Sequence, residues 1–279
     1  MNITGAASGF GALTARALAK KGHTVYAGIR VSHPTGPAAL SSITSFASTH
    51  NVDLLAVDQD VLSDSSVTAS ISHIIKESGR IDVLIHNAGH MCLGPTESFT
   101  TAQLAHMYDI NMLSTQRLNR AVLSHMRKAQ SGLVVWVSSS SVLGGTPPFL
   151  APYFAAKAGM DALAASYAPE LKRWDMETSI VVPGAFVKGT EHFATAMEAE
   201  DTWVVGKYLG EGQPYEGVAE EADVAEVAGK IVEVVEMEHG ERPSRVYVDP
   251  AEDGAEVVGG VRDRIRREMS RGLGLEGLI

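Results

Sequence analysis

Tyr153 and Lys157 stand four residues apart in Tyr153-Phe154-Ala155-Ala156-Lys157, a spacing that puts both side chains on one face of a helix. A phenol is a weak acid, with an ordinary pKa of about 10. An ammonium group beside it favours the phenolate and draws that value down. The pair therefore reads as a proton donor usable near neutrality. Upstream lie four consecutive hydroxyls, Ser138 to Ser141, at the end of an apolar run.

Such side chains act only if a scaffold brings them together. Apolar, β-branched runs at 23–30, 52–58, 81–89, 132–139, 178–184 and 244–249 have the continuous character of strands buried on both faces. Helical patterns lie between them. One follows Phe10 and stops at Gly22, and one starts at Asp64. One starts at Thr100, with Gln103 at capping-box spacing, and runs to about Gln130; another runs from Ala151 to about Trp174. The alternation predicts a single α/β domain, a Rossmann-like doubly wound parallel sheet with helices on both faces. In that arrangement Thr4-Gly5-Ala6-Ala7-Ser8-Gly9-Phe10-Gly11 falls at the first strand-to-helix turn. Glycines there let the backbone approach the pyrophosphate of a dinucleotide, and the helix N-terminus supplies N–H donors. Only three residues precede the motif, so the first strand is either short or begins outside this chain.

The chain has 279 residues and a net charge of −10, from 23 Lys and Arg against 33 Asp and Glu. That balance argues against nucleic acid and disfavours anionic membranes. Cys92 is the only cysteine, which excludes an internal disulfide and fits a reducing compartment. There is no apolar run of the roughly 18 residues a membrane span needs and no secretory pattern, so a cytoplasmic location is expected.

The motifs resemble those of the short-chain dehydrogenase/reductase family. The T-G-x-x-x-G-x-G turn, Asn87-Ala88-Gly89, Tyr153-x-x-x-Lys157 and Pro183-Gly184 come in that family's order across nearly the whole chain. The resemblance implies hydride transfer between a nicotinamide and a carbonyl or secondary alcohol, with a ketone or aldehyde reductase as the leading reading. Tyr153 would protonate the oxygen, and Lys157 would hold the nicotinamide ribose and tune Tyr153. The family's serine lies thirteen positions before its tyrosine, which selects Ser140, with Ser139 as the fallback. Asn111 matches the asparagine that bends a helix and holds a proton-relaying water. Gly5, Ser8, Gly9, Phe10, Gly11, Asn87, Ala88, Gly89, Pro183 and Gly184 match cofactor-binding positions, and Asp60-Val61 the adenine-contacting pair. The place where NAD-binding relatives carry an acid is Ile29, followed by Arg30, which can pair with a 2′-phosphate; this favours NADP over NAD. His86 reads as a packed residue and Cys92 as a small buried apolar one. The family's amide-binding threonine position is Lys188, with Thr190 two further on, and this contact stays open.

The segment 185–220 breaks the alternation. Its aromatics and glycines suggest a lid over an apolar substrate pocket, with Phe186, Phe193 and Trp203 on one wall and Leu143 and Phe149 opposite. A charged tail starts at about 250. Helices 100–130 and 151–174 present small residues suited to a homodimer or homotetramer. The other readings are an epimerase or dehydratase on the same fold, and a non-catalytic NADP-binding sensor or scaffold.

Overall fold

The structure is a computed structural model that describes residues 1–186, 188–190, 192–209, 222–275 and 277. Its strands are β1 (Asn2–Ile3), β2 (Val25–Ile29), β3 (Leu54–Asp58), β4 (Val83–His86), β5 (Cys92–Leu93), β6 (Gly132–Val137), β7 (Met176–Pro183), β8 (Met197–Glu198) and β9 (Arg245–Val248). Among the described residues, β5 and β8 pair with each other and the other seven form one all-parallel sheet, in the order β3-β2-β1-β4-β6-β7-β9. This is the expected doubly wound arrangement, and β1 is as short as the sequence implied. Alternate residues of β6 show why its sequence is apolar throughout. Leu133, Val135 and Val137 face one core, and Val134 and Trp136 face the other.

The helices are α1 (Gly9–Lys20), α2 (Gly36–His50), α3 (Asp64–Ser78), α4 (Thr101–Tyr108), α5 (Ser114–Ala129), α6 (Ala151–Leu171), α7 (Thr202–Leu209), α8 (Ala225–Glu236) and α9 (Ala255–Gly272). Leu18, Ile43, Ile231 and Val234 bring α1, α2 and α8 onto one face. Ile71, Ile74, Leu118, Val122 and Met160 bring α3, α5 and α6 onto the other. None of the described helices is long and apolar enough to cross a membrane.

The helix expected over 100–130 is interrupted. Thr100 and Gln103 form the capping box at its start, with both bonds present. A wide π turn at Asp109–Leu113 then separates α4 from α5. In the segment read as a lid, residues 197–209 are fastened. Met197 N–H donates to Met91 O (2.8 Å), Gln103 Nε2 to Glu198 O (2.7 Å), and Tyr208 Oη to Glu97 Oε2 (2.7 Å). Gly210, Gly212 and Pro214 of that segment lie outside the described residues.

Candidate active site

Because the sheet is parallel, every strand delivers its following loop to the same edge. Thr4, Arg30, Gln59, Asn87, Ser138 and Gly184 all follow carboxyl ends of strands. The first of these loops is stitched to the fourth. Thr4 Oγ1 accepts the N–H groups of Asn87 (3.0 Å) and Ala88 (2.9 Å), and Asn87 Nδ2 donates to Thr4 O (2.9 Å) and Gly5 O (3.0 Å). Two glycines are obligatory there. Gly5 has φ +63°, and a Cβ on it would stand 2.8 Å from Ala88 Cα. A Cβ on Gly11 would strike the Asn87 amide and come within 2.6 Å of Gly5 O. The result is a bare backbone cradle at the start of α1, where the Ser8 side chain makes no capping bond to the helix N–H groups.

A cavity of about 420 Å³ runs from this cradle along the sheet edge. Of the residues named from the sequence, Gly5, Ser8, Gly9, Phe10, Arg30, Val61, Asn87, Ala88, Gly89, Ser140, Tyr153, Lys157, Pro183, Gly184, Phe186 and Phe193 line it. Gly11, Asp60 and Asn111 are not on its wall. Gly11 packs behind the cradle, and Asp60 Oδ1 accepts the Leu62 N–H (3.0 Å), shaping the turn into α3. Asn111 is fully buried in the π turn. Its Oδ1 accepts the His90 N–H (3.0 Å) and its Nδ2 donates to His90 O (2.9 Å) and Met107 O (3.0 Å). A Cβ on Gly89 would meet Asn111 Oδ1 at 2.8 Å and Lys157 Nζ at 3.5 Å, so all three abut.

Three assignments to the substrate wall are corrected. Leu143 turns into the core against Ala255 and Tyr247. Phe149, at φ +72°, is half-buried off the wall, and its carbonyl accepts the Gly94 N–H (2.9 Å). Trp203 is 71% exposed and stacks under Lys207 Nζ (5.0 Å). Composition nominated these apolar side chains, but whether each faces cavity, core or solvent is decided by tertiary packing.

The serine assignment also moves. Ser139 stands close enough to the Tyr153 phenol to draw its pKa down, and its Oγ accepts from Ser141 N–H (3.3 Å) and Ser141 Oγ (2.8 Å). Ser140 instead starts a tight turn, with its carbonyl accepting the Leu143 (3.0 Å) and Gly144 (2.7 Å) N–H groups. The end of β6 at Val137 fixes which side chain faces the tyrosine, whereas spacing counted back through the loop does not.

Lys157 is buried, and its Nζ donates to Val137 O (2.8 Å), 5.9 Å from the Tyr153 ring centre. Burial pushes Lys157 down to about 8. Burial also pushes the Tyr153 phenol up to about 12, against the influence of Ser139. The expected lowering of the phenol by Lys157 is not seen: desolvation is the largest influence on it, and Ser139 is the group that lowers it. His86 is a packed residue, held by Asn119 Oδ1 (2.8 Å) and pushed down to about 4 by burial. Cys92 is buried and pushed up to about 11, so it carries no thiolate near neutrality.

The sequence reading gave no role to His90, His192 or Gln59 and left Thr190 open; all four are on the cavity wall. His192 sits edge-on to Tyr153, ring centres 5.7 Å apart, and is pushed down to about 4 by burial and by the charges of Lys157 and His90. Thr190 is one of the two residues considered for the family's amide-binding threonine. It reaches the wall, with Oγ1 3.4 Å from where a Cβ on Gly9 would stand. At the far end Arg30 is exposed. A carboxylate does stand nearby: Asp58 pairs in register with Ile29 and accepts the Val31 N–H (2.9 Å).

Residues 1–201 match the family described as short chain dehydrogenase. The chain is 33% identical over 187 residues to a 3-ketodihydrosphingosine reductase of Bacteroides thetaiotaomicron, covering 67% of this chain and 64% of that protein. It is 35% identical over 191 residues to a monensin polyketide synthase putative ketoacyl reductase of Streptomyces virginiae, covering 65% of this chain and 68% of the other. A solved short-chain dehydrogenase from Streptomyces avermitilis superposes with a TM-score of 0.77 at 26% identity, covering 97% of this chain and 95% of its own. With its glycine cradle, its Asn-Ala-Gly loop and its paired Tyr153 and Lys157 all on one sheet edge, the chain belongs to the short-chain dehydrogenase family.

Proposed function

We propose that the protein is an NADP-dependent reductase of a ketone or aldehyde, working in the cytoplasm. One observation carries the reading. A buried phenol, with Ser139 and Lys157 beside it, opens onto the same cavity as a backbone cradle that only glycine can form. The cradle fits a dinucleotide. Gly5, Ser8 and Gly9 would meet its pyrophosphate, Asn87 to Gly89 its ribose, and Thr190 the nicotinamide end. Such a cofactor supplies the hydride. Ser139 orients the carbonyl oxygen, and Tyr153 gives it a proton. Lys157, fixed on Val137 O, would hold the adjoining ribose. Tyr153 keeps its proton throughout the neutral range, which suits donation to a developing alkoxide. Met91, Leu150, Phe154 and Phe193 make the wall around Tyr153 apolar, which favours an uncharged substrate. Consumption of reduced NADP by a panel of ketones and aldehydes tests the reading; no turnover with any of them overturns it.

The two directions should differ in pH dependence. Oxidation needs Tyr153 as phenolate, so kcat/KM for an alcohol rises with pH across the alkaline range toward about 12. Reduction needs the phenol, so Tyr153 imposes no loss through neutrality. A flat profile for oxidation contradicts the assignment.

Arg30 is the cofactor-selecting side chain in this reading, since the Asp58 carboxylate is engaged by Val31 N–H. Arg30→Ala should weaken NADP binding by about 1.5–3 kcal/mol and leave NAD binding nearly unchanged. Titration of both cofactors into both proteins checks this, and equal wild-type affinities would remove NADP preference.

A homodimer or homotetramer completes the proposal. Ala155, Ala158 and Ala162 lie exposed along α6, a row of small side chains on which a second copy could pack closely. Light scattering at micromolar concentration should give a multiple of the 29.6 kDa chain mass; a monomer refutes it.

A further inference from the structure

Asp161 lies one turn beyond Lys157 on α6 and has no exposed surface. Its carboxylate is saturated. Oδ2 accepts Ser138 Oγ (3.0 Å) and Arg245 Nη1 (2.6 Å), and Oδ1 accepts Arg245 Nη2 (3.0 Å) and Arg262 Nη1 (3.0 Å). These partners come from three places: the end of β6, strand β9 and helix α9. Ser138 is the chain neighbour of Ser139, which shares the cavity wall with Tyr153.

The same C-terminal segment grips the serine loop twice more. Gly145 N–H donates to Asp253 O (3.0 Å). Leu143 packs against Ala255, and a Cβ on Gly259 of α9 would stand 3.2 Å from Leu143 Cδ1. The loop is therefore held at Leu143 and Gly145 by residues beyond the family match, which ends at 201, and at Ser138 by Asp161, which Arg245 and Arg262 from beyond that match hold in turn. Stability alone does not call for ions here, because apolar side chains of similar volume commonly pack as well without the desolvation cost. Fixed orientation does, since small misplacements of reacting groups are expensive.

We propose that Asp161, Arg245 and Arg262 are positioning residues, through which α9 holds the 138–145 loop and keeps the Ser139 hydroxyl on Tyr153. This rests on the reductase reading and deepens it by giving the C-terminal helix a role in the reaction. The groups facing Tyr153, Lys157 on the same helix and Cys92 and His192 from other elements, make none of the network's hydrogen bonds.

Arg262→Met is the informative variant, because Arg262 is 42% exposed and its loss leaves the Asp161–Arg245 pair intact. Ser138→Ala is the second, in case the first folds poorly. Either should lower kcat about tenfold, close to 1.4 kcal/mol, with KM and cofactor affinity near wild type. In a Ser139→Ala background the same change should cost nothing further, because its effect passes through that hydroxyl. Crystal structures of the variants without ligand should show Ser139 Oγ displaced from Tyr153. Wild-type kcat, an equal loss in the Ser139→Ala background, or an unmoved Ser139 overturns the proposal. If the wild-type protein reduces no carbonyl, the reductase reading fails, while the crystal structures still decide whether the network holds the loop.

Discussion

Tyr153→Phe should leave a folded protein that binds cofactor as tightly as the parent and turns over about 10²–10⁴-fold more slowly. The ring is what packs. It sits buried among Met91, Cys92, Leu150 and Ala156, and phenylalanine keeps all of those contacts. What disappears is one hydroxyl, with the proton it offers to a carbonyl oxygen at that wall. The cradle of Gly5, Gly9 and Gly11 is built on other elements, so affinity should not follow activity. Stopped assays of reduced-cofactor consumption and equilibrium binding on the same preparations separate the two. A variant turning over at the parental rate would mean that another group protonates the substrate. His192, edge-on to Tyr153 at 5.7 Å, would then be the residue to replace next.

The parts of this site that could be read from the sequence share a property: their constraints are local. A backbone that must pass a phosphate needs glycine wherever it lies, so Thr4 to Gly11 could be recognised without knowing the neighbours. Tyr153 and Lys157 are set by helix pitch alone. The rest depends on distant packing. The register of the serines is decided where β6 ends, which separates Ser139 from Ser140 by facing rather than by spacing. Leu143 and Phe186 are equally apolar, yet one fills the core under α9 while the other meets Phe10 edge-on at the cavity, ring centres 5.5 Å apart. Helix α2 was not expected, because Gly36-Pro37 and its run of Ser and Thr are weak helix formers. Docking of Ala39 and Ile43 on the sheet supplies what propensity lacks. The phenol's acidity fails for the same reason. A neighbouring ammonium can be read from spacing, but the burial that raises the phenol cannot.

The network behind the serine loop should also be the costliest place to cut for stability. Asp161→Ala removes the close partner of a guanidinium that is 3% exposed, and leaves Arg245 charged in the interior with only the more distant Asp263 (3.9 Å) and with Ser138 Oγ unpaired. Breaking one side of a buried pair typically costs about 3–5 kcal/mol. At this chain length that corresponds to a fall in melting temperature of roughly 6–20 °C. Arg262 offsets little of it, since it is partly exposed and can turn to water. Two comparisons give the number meaning. Glu268→Ala cuts the exposed Arg264–Glu268 pair on α9 (3.7 Å) and should move the melting temperature by less than about 2 °C. The double variant Asp161→Leu with Arg245→Met removes both charges and should recover much of the single variant's loss, because the main penalty is an ion left alone in a low-dielectric interior. Thermal unfolding of the three variants beside the parent decides the matter. If Asp161→Ala melts within about 2 °C of the parent, the guanidinium of Arg245 reaches solvent in solution and the carboxylate is not holding β9 against α6.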